Sequence, residues 1–370
     1  MFGTGLPPTP FLALDLDRFE HNVRRIADAV VRHGQKRWRP HAKSIRSTEI
    51  VRRLIAAGAQ GVTCATAREA RVMIDGGIED VLIASQVAQP ADLESVALLN
   101  RRGSVAIAVD GRAQLALADA AARRAETRIP VVIEVDIGLG RAGVSPGSAG
   151  IELARLVQAH PHLHFAGFMA WEGHATRIAD PAEKRLTIEH AVRQLTDTAA
   201  ACRAAGMPTP IVSCGGTGTF DITSELDGVT ELQAGGGVFG DIRYREEFHV
   251  PLEPALTLRS TVLARPTARR IVCDAGWKSL AVYPTAPRPV GLPAGCTLAH
   301  SAEHLAITLP ADADSPAVGE RIDLQVGYAD ATTFLHRLIV GFRGDRLETQ
   351  FELAGTPSSM ATTGASNHES

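Results

Sequence analysis

The stretch WRPHAKSIRSTEIVRRLIAAGAQGVTCATAREARVMIDGG, residues 38–77, decides the fold. It opens as a short strand, WRPHAKS, that ends on Lys43. A helix from Ser47 to Gly58 is expected next, then the strand GVTCAT (61–66), then a helix stopped by two glycines. Short β-rich runs alternating with helices of apolar 3.6-residue period are the mark of strand–helix–strand units around a parallel sheet.

The same alternation runs outward in both directions. Upstream, RFEHNVRRIADAVVRHG reads as a helix, with Asp17 as its expected N-cap. Downstream, strands are expected at 80–85, 105–110 and 130–138, each trailed by an amphipathic helix. HFAGFMAW (164–171) precedes a long helical stretch, and PIVSCGG (210–216) and TELQAGGG (230–237) close the series. Eight apolar strands of this kind predict an α/β fold, a (β/α)8 TIM-type barrel. A doubly wound open sheet is the rival, but no GxGxxG turn follows the first strand. After about residue 246 the chain turns β-rich, with Pro and Gly turns and no long helix. The expected division is therefore a barrel over 18–245 and a C-terminal all-β domain over 246–355, which the strand from 8–17 joins. A disordered polar tail is expected over 356–370.

Composition sets the outer bounds. Hydrophobic residues make up 45% and charged residues 21% of the 370, as in a soluble protein with a sizeable core. A formal charge of -3 gives no reason to expect nucleic acid or an anionic membrane as partner. No apolar run approaches the ~20 residues of a membrane span, and no secretory signal is visible. The five cysteines are odd in number and form no CxxC pair, which suits reduced thiols in a cytoplasmic protein.

In a barrel, chemistry belongs at the C-terminal strand ends. Lys43 stands at such an end. The plain reading is a strand end reaching water; the chemical one is a buried amine that captures a carbonyl as a Schiff base. CGGTGTF (214–220) and LQAGGGVFGD (232–241) follow the seventh and eighth strands, where barrels often bind phosphate. Each alone is a flexible glycine turn; adjacent, they suggest a phosphate cradle. In EVDIGLGRAGV (134–144), Arg141 sits between glycines, either in solvent or turned inward toward a heteroaromatic nitrogen or a carboxylate. A lysine, a phosphate cradle and an arginine at one barrel mouth meet the needs of pyridoxal 5'-phosphate. An arginine beside the pyridine nitrogen would leave the ring unprotonated and weaken it as an electron sink.

RPHAKS, DGGIEDVLIAS, VDIGLGRAGV, VSCGGTGTFDI and ELQAGGGVFGD resemble segments of the D-threonine aldolase and D-serine dehydratase group, in order along nearly the whole chain. These are alanine-racemase-like pyridoxal phosphate enzymes of fold type III, with an N-terminal barrel and a C-terminal β domain. The resemblance implies that Lys43 is the Schiff-base lysine, that Arg141 faces the pyridine nitrogen, and that Gly216, Thr217, Gly235 and Gly236 lie at the phosphate.

The chain departs from the group at several points. Metal-dependent members carry a His-x-Cys or His-x-Asp pair that binds a divalent ion. In VGYADATTFLH (326–336), Asp330 matches the second ligand, but Tyr328 replaces the histidine. If the segment is a strand, both side chains share a face. A single carboxylate seldom holds a transition metal, so no tightly bound divalent cation is expected, Asp330 is at most a weak metal ligand, and Tyr328 is read as a hydroxyl donor or a packing residue. Trp171 stands where the group has a tyrosine near the cofactor, and Arg177 where it has a histidine base. His174 is the nearest substitute base, and His304 in SAEH is a candidate for the site's edge.

Three functions compete. The first is a pyridoxal phosphate-dependent lyase of small 3-hydroxy-D-amino acids, cleaving Cα–Cβ or eliminating water. The second is a metal-free racemase using Lys43 on one face and Tyr328 or His174 on the other. The third is a non-catalytic cofactor-binding protein, against which the extra β domain argues. The resemblance favours the lyase, acting on a small amino acid; a homodimer is expected.

Overall fold

The strand β1 (Phe11–Asp15) is the first element among the described residues and belongs to the second of two units; the first, Val23–Gly236, holds the barrel. The computed structural model describes residues 5–314 and 316–354, so the tail expected over 356–370 lies outside the described residues. Eight apolar runs of the barrel unit become β2 (Arg37–Trp38), β3 (Val62–Cys64), β4 (Asp80–Gln86), β5 (Ser104–Val109), β6 (Ile129–Glu134), β7 (Leu163–Met169), β8 (Ile211–Cys214) and β9 (Glu231–Leu232). Every pairing is parallel, in the order β2-β9-β8-β7-β6-β5-β4-β3. The ring closes between its end strands through a bridge of His41 to Thr63. There the Ala42 N–H donates to Thr63 O at 2.7 Å and the Thr63 N–H to Pro40 O at 2.9 Å. This is the (β/α)8 arrangement.

Helices Thr48–Ala56, Ala67–Asp75, Pro90–Leu99, Arg112–Arg124, Ser148–Ala159 and Pro181–Ala204 follow β2 to β7, and a single turn, Phe220–Thr223, follows β8. Local chemistry sets several starts. The Thr66 hydroxyl accepts from the Glu69 N–H, and Asp180 accepts from the Glu183 N–H with Pro181 in the first turn. Helices outside and side chains inside bury the strands on both faces, which is why they read as continuous apolar runs. Leu82, Ala84, Ala106, Ala108, Val132, Ala166 and Met169 pack together from four neighbouring strands.

A polar joint lies in this ring. Arg39 and Glu231 are 2% and 0% exposed, and the Arg39 Nε donates to Glu231 Oε2 at 2.9 Å. The Ser213 hydroxyl donates to the other Glu231 oxygen, and the Arg39 Nη1 donates to Asp80 at 2.6 Å. Residues following or belonging to β2, β4, β8 and β9 are thus tied through one buried network.

Two sequence expectations need correction. WRPHAKS is not one strand ending on Lys43. β2 stops at Trp38, and after the bridge at His41 the chain turns, with Ala42 O accepting from the N–H groups of Ile45 and Arg46, both at 2.9 Å. Lys43 therefore rides on a turn. Asp17 is not the N-cap of its helix: the helix begins at Leu16, and the side chain of Asp15 accepts from the Arg18 N–H at 3.1 Å.

The second unit takes the chain up to Asn22 and from Gly237 onward. Its strands are β1, β10 (Leu256–Thr267), β11 (Arg270–Cys273), β12 (Arg288–Pro289), β13 (Thr297–His300), β14 (Leu305–Thr308), β15 (Arg321–Gln325), β16 (Leu338–Arg343) and β17 (Arg346–Glu352). The main path is β13-β14-β11-β10-β1-β16-β17, with β15 paired to β10 and β12. All pairings are antiparallel except β1 with β16. Phe11, Ala13, Val340 and Phe342 form part of its core. No helix among the described residues is long and apolar enough to cross a membrane.

Replacing Glu231 leaves the buried Arg39 guanidinium with the half-buried Asp80 as its remaining carboxylate partner, and losing such a charged hydrogen bond costs about 1.5–3 kcal/mol. Denaturant unfolding of Glu231→Gln should show a loss of that size. A change within experimental error would mean that the pair does not hold the ring.

Candidate active site

The turn after β2 brings Lys43 toward the loops that follow β6 and β7. Its Nζ lies 5.9 Å from the centre of the Trp171 ring, and the Arg141 guanidinium carbon lies 5.5 Å from the same ring. One indole thus faces two cations, an arrangement favoured by the negative face of the ring. Lys43 also donates its backbone N–H to His41 Nδ1 at 3.4 Å, which makes the other ring nitrogen, Nε2, the protonated one. Burial, then the charges of Lys43 and Arg141, hold His41 well below the usual histidine range, so its ring is neutral.

Arg141 reaches this place because its loop is fastened at both ends. Asp136 N–H donates to Val144 O, Val144 N–H to Glu134 O, and the Asp136 carboxylate accepts from the N–H groups of Gly138 and Gly140 at 3.0 Å each. Those two donors hold the Asp136 carboxyl below its ordinary value. The guanidinium is 54% exposed yet anchored, 3.3 Å from the buried carboxylate of Glu134, which accepts a further hydrogen bond from Gln86. Arg141 is therefore turned inward. His174, in the short helix Gly173–Ala175 after β7, is exposed, and its ring lies against Gly138 of the same loop. Arg177 is exposed beyond it.

The glycine loops are shaped by close approach. A Cβ on Gly216 would lie 2.8 Å from the Trp171 Nε1, and one on Gly235 would lie 2.4 Å from His41 O and 2.5 Å from His41 N. No side chain fits at either point without displacing the loop that carries Lys43 or the ring that lies beside it. Thr217 is buried between Gly216 and Gly218, and Gly236 ends the barrel unit. Behind the first loop sits Glu172, fully buried. It accepts from the Gly215 N–H at 3.0 Å, the Thr223 hydroxyl at 2.6 Å and the Thr219 hydroxyl at 3.5 Å. Burial outweighs these donors and raises its carboxyl above the ordinary value.

The remaining sequence candidates belong to the second unit. Tyr328 is extended and precedes the one-turn helix Ala329–Thr332, so VGYADATT is not a strand; its hydroxyl donates to Asp330 Oδ2 at 2.7 Å. The two side chains meet through a hydrogen bond rather than through strand periodicity. Burial and the Asp330 charge raise the Tyr328 phenol above its usual range, so it remains a hydroxyl. Arg243 lies 5.0 Å from the Tyr328 ring centre. Asp241 is buried beneath this corner, accepting from the N–H groups of Tyr244 and Ala329 at 2.9 and 2.7 Å. Its carboxyl is pushed up to about 8, chiefly by burial. Among the described residues no three His, Cys, Asp or Glu side chains converge as a metal-holding set. His304 lies in the exposed turn between β13 and β14, its carbonyl accepting from the Ser301 N–H at 2.8 Å.

Sequence reading missed His41, Gln86, Glu134 and Glu172. Glu172 adjoins Trp171, and Glu134 precedes Arg141 by seven positions, but neither spacing announces the contacts made in the fold.

The barrel unit's features suit pyridoxal phosphate: a half-buried amine, an anchored guanidinium, a broad aromatic face beside both, and glycine loops that no Cβ could enter. A barrel with these groups on these loops is of the alanine-racemase class. The chain belongs to the family described as alanine racemase, N-terminal domain, matched over residues 14–243, and its later part matches a putative serine dehydratase domain over 255–342. It is 32% identical to the D-threonine aldolase of Arthrobacter sp over 349 residues, 94% of this chain and 92% of that one. It is 32% identical to the D-threo-3-hydroxyaspartate dehydratase of Delftia sp. (strain HT23) over 276 residues, 74% of this chain and 72% of that one. The crystal structure of D-threonine aldolase from Filomicrobium marinum superposes with a TM-score of 0.88 at 33% identity, covering 94% of this chain and 95% of that one.

The raised Asp241 carboxyl makes a pH prediction. Its folded value exceeds its unfolded one, so its contribution is fully present below about 3.8 and is lost as pH rises through about 8. Thermal unfolding across that window should show a steeper loss for the native protein than for Asp241→Asn. Parallel pH profiles would place the Asp241 carboxyl in its ordinary range.

Proposed function

We propose that this chain is a pyridoxal phosphate-dependent lyase of small 3-hydroxy-D-amino acids. The observation that carries the reading is the joint approach of Lys43 and Arg141 to the Trp171 ring, in a chain whose relatives act on 3-hydroxy-D-amino acids as aldolase and dehydratase. When bound, the cofactor supplies an aldehyde for an amine and a ring that draws electrons from the substrate's α-carbon.

The chain's own residues divide the remaining work. Lys43 offers the amine. Arg141, held by Glu134, offers a permanent cation to the ring nitrogen. The loops at Gly216, Thr217, Gly235 and Gly236 receive the phosphate, and Trp171 covers one face of the site. His174, exposed beside the Arg141 loop, can take the proton of a 3-hydroxyl, as cleavage of Cα–Cβ requires. Tyr328 supports the lyase over a racemase. A racemase that used Tyr328 rather than His174 as its second base would need it to surrender its proton, and its raised phenol opposes that. Hydrogen-bonded to Asp330, it offers a hydroxyl, and the single carboxylate beside it is a poor holder of a divalent ion.

Five unpaired cysteines support a reducing, cytoplasmic setting, and the exposed Trp277, Tyr283 and Phe334 of the second unit support a homodimer.

The purified protein should be yellow, borohydride should fix the cofactor to Lys43, and Lys43→Ala should be colourless. Incubation with D- and L-amino acids should yield an aldehyde with glycine, or a 2-oxo acid with ammonia, from 3-hydroxy-D-substrates alone. Inverted enantiomer as the sole product would replace the lyase by the racemase. Chelator should leave most activity; abolition by chelator with restoration by Mn2+ or Zn2+ would return the chain to the metal-dependent mode.

A further inference from the structure

The phosphate loop after β8 has an anchor of its own. We infer that Glu172 is a positioning residue that sets how tightly the protein grips the phosphate group of its cofactor; the inference rests on the cofactor reading above. Glu172 is fully buried and adjoins Trp171, whose Nε1 lies against Gly216. Its two carboxylate oxygens gather three donors spread over nine residues of the loop: Gly215 N–H, Thr219 Oγ1 and Thr223 Oγ1. The loop contributes little packing of its own at this point, since residues 215, 216 and 218 are glycines.

The consequence follows from where the donors point. Gly215 N–H is drawn back to Glu172, and the N–H groups of Thr219 and Phe220 are drawn to Gly216 O at 3.1 and 3.0 Å. Between them lie residues 216–218, the part of the loop assigned above to the phosphate. By holding Gly215 on one side and Thr219 and Thr223 on the other, Glu172 fixes the curvature of this short run. A carboxylate cannot itself face a phosphate favourably, so its role is through the loop and not by contact. Without it, two threonines and a glycine N–H lose their buried acceptor, and the loop relaxes toward whatever acceptor is nearest.

The test separates phosphate grip from the rest of binding. Full-length protein stripped of cofactor is titrated with pyridoxal phosphate and with pyridoxal, which keeps the aldehyde but lacks the phosphate, and binding is read by absorbance rather than turnover. The native protein should prefer the phosphorylated form. Glu172→Gln, which turns one acceptor into a donor facing donors, should reduce that preference about 10- to 100-fold, with pyridoxal affinity nearly unchanged. Equal preference in native and variant protein, or equal weakening toward both compounds, would overturn the inference while leaving the cofactor assignment intact. A native protein that does not distinguish the two compounds would instead remove the phosphate cradle, and the inference with it. Should Glu172→Gln not fold by circular dichroism, Thr223→Val carries the test. It deletes one donor at constant shape and should reduce the preference about 3- to 10-fold, with Thr223→Ser restoring it. An unchanged preference in Thr223→Val would then overturn the inference.

Discussion

Arg39 follows the first barrel strand and Glu231 opens the eighth, and their ion pair lies where neither can reach water. Two charges so buried are held only if each is answered in full. Here Glu231 is answered twice, by Arg39 and by the Ser213 hydroxyl, and Arg39 is answered again by Asp80. The joint fixes β2 against β9 in register. That register carries the His41 N–H to Gln233 O at 2.9 Å and brings Gly235 against the His41 backbone. Two residues past His41 is Lys43. The amine and the last glycine loop therefore stand where they do because a charge pair lower in the barrel allows no slip.

Three buried glutamates share the burden of the site. Glu231 holds the ring, Glu134 holds Arg141, and Glu172 holds the glycine loop after β8. Each lies within or just beyond a barrel strand, and each gathers donors that would otherwise be free to move. Loops alone position groups loosely; loops tied to acids on rigid strands position them well. The cations at the mouth meet a complementary environment: a neutral His41, an indole face and a carboxylate behind Arg141, none of which competes for the anionic end of a substrate.

Much of the barrel was legible because its signals are local. Strand runs such as DVLIAS and VAIAVD sit within a residue or two of β4 and β5, since a strand buried on both faces has no choice but to be apolar. Lys43, Arg141 and the glycine loops could be proposed from strand-end position alone. The failures have a common cause. Pro40 lacks an N–H and the chain turns after His41, so Lys43 lies on a turn that a strand pattern cannot announce. Asp15 and Asp17 are equally good caps in sequence, and only the direction of entry into the helix chooses between them. VGYADATT looked like a strand because β15 runs up to Gln325, but Asp241 takes the Ala329 N–H and starts a helical turn instead. Glu172 was missed because its partners lie on another loop, and Glu134 and His41 because a spacing of seven or two residues does not announce that a turn brings each against its partner.

The place of β1 in its sheet has a consequence for how the protein is made. Phe11–Asp15 leaves the ribosome long before the segments it pairs with, Leu256–Arg259 on one edge and Ile339–Phe342 on the other. At synthesis rates of about 5–20 residues per second, this apolar strand waits on the order of ten seconds or longer for the first of them. All of the barrel unit emerges in the interval. The newborn chain thus carries an FLALD segment without its sheet partners throughout the birth of the barrel, a target for chaperones or for the same segment of a neighbouring nascent chain.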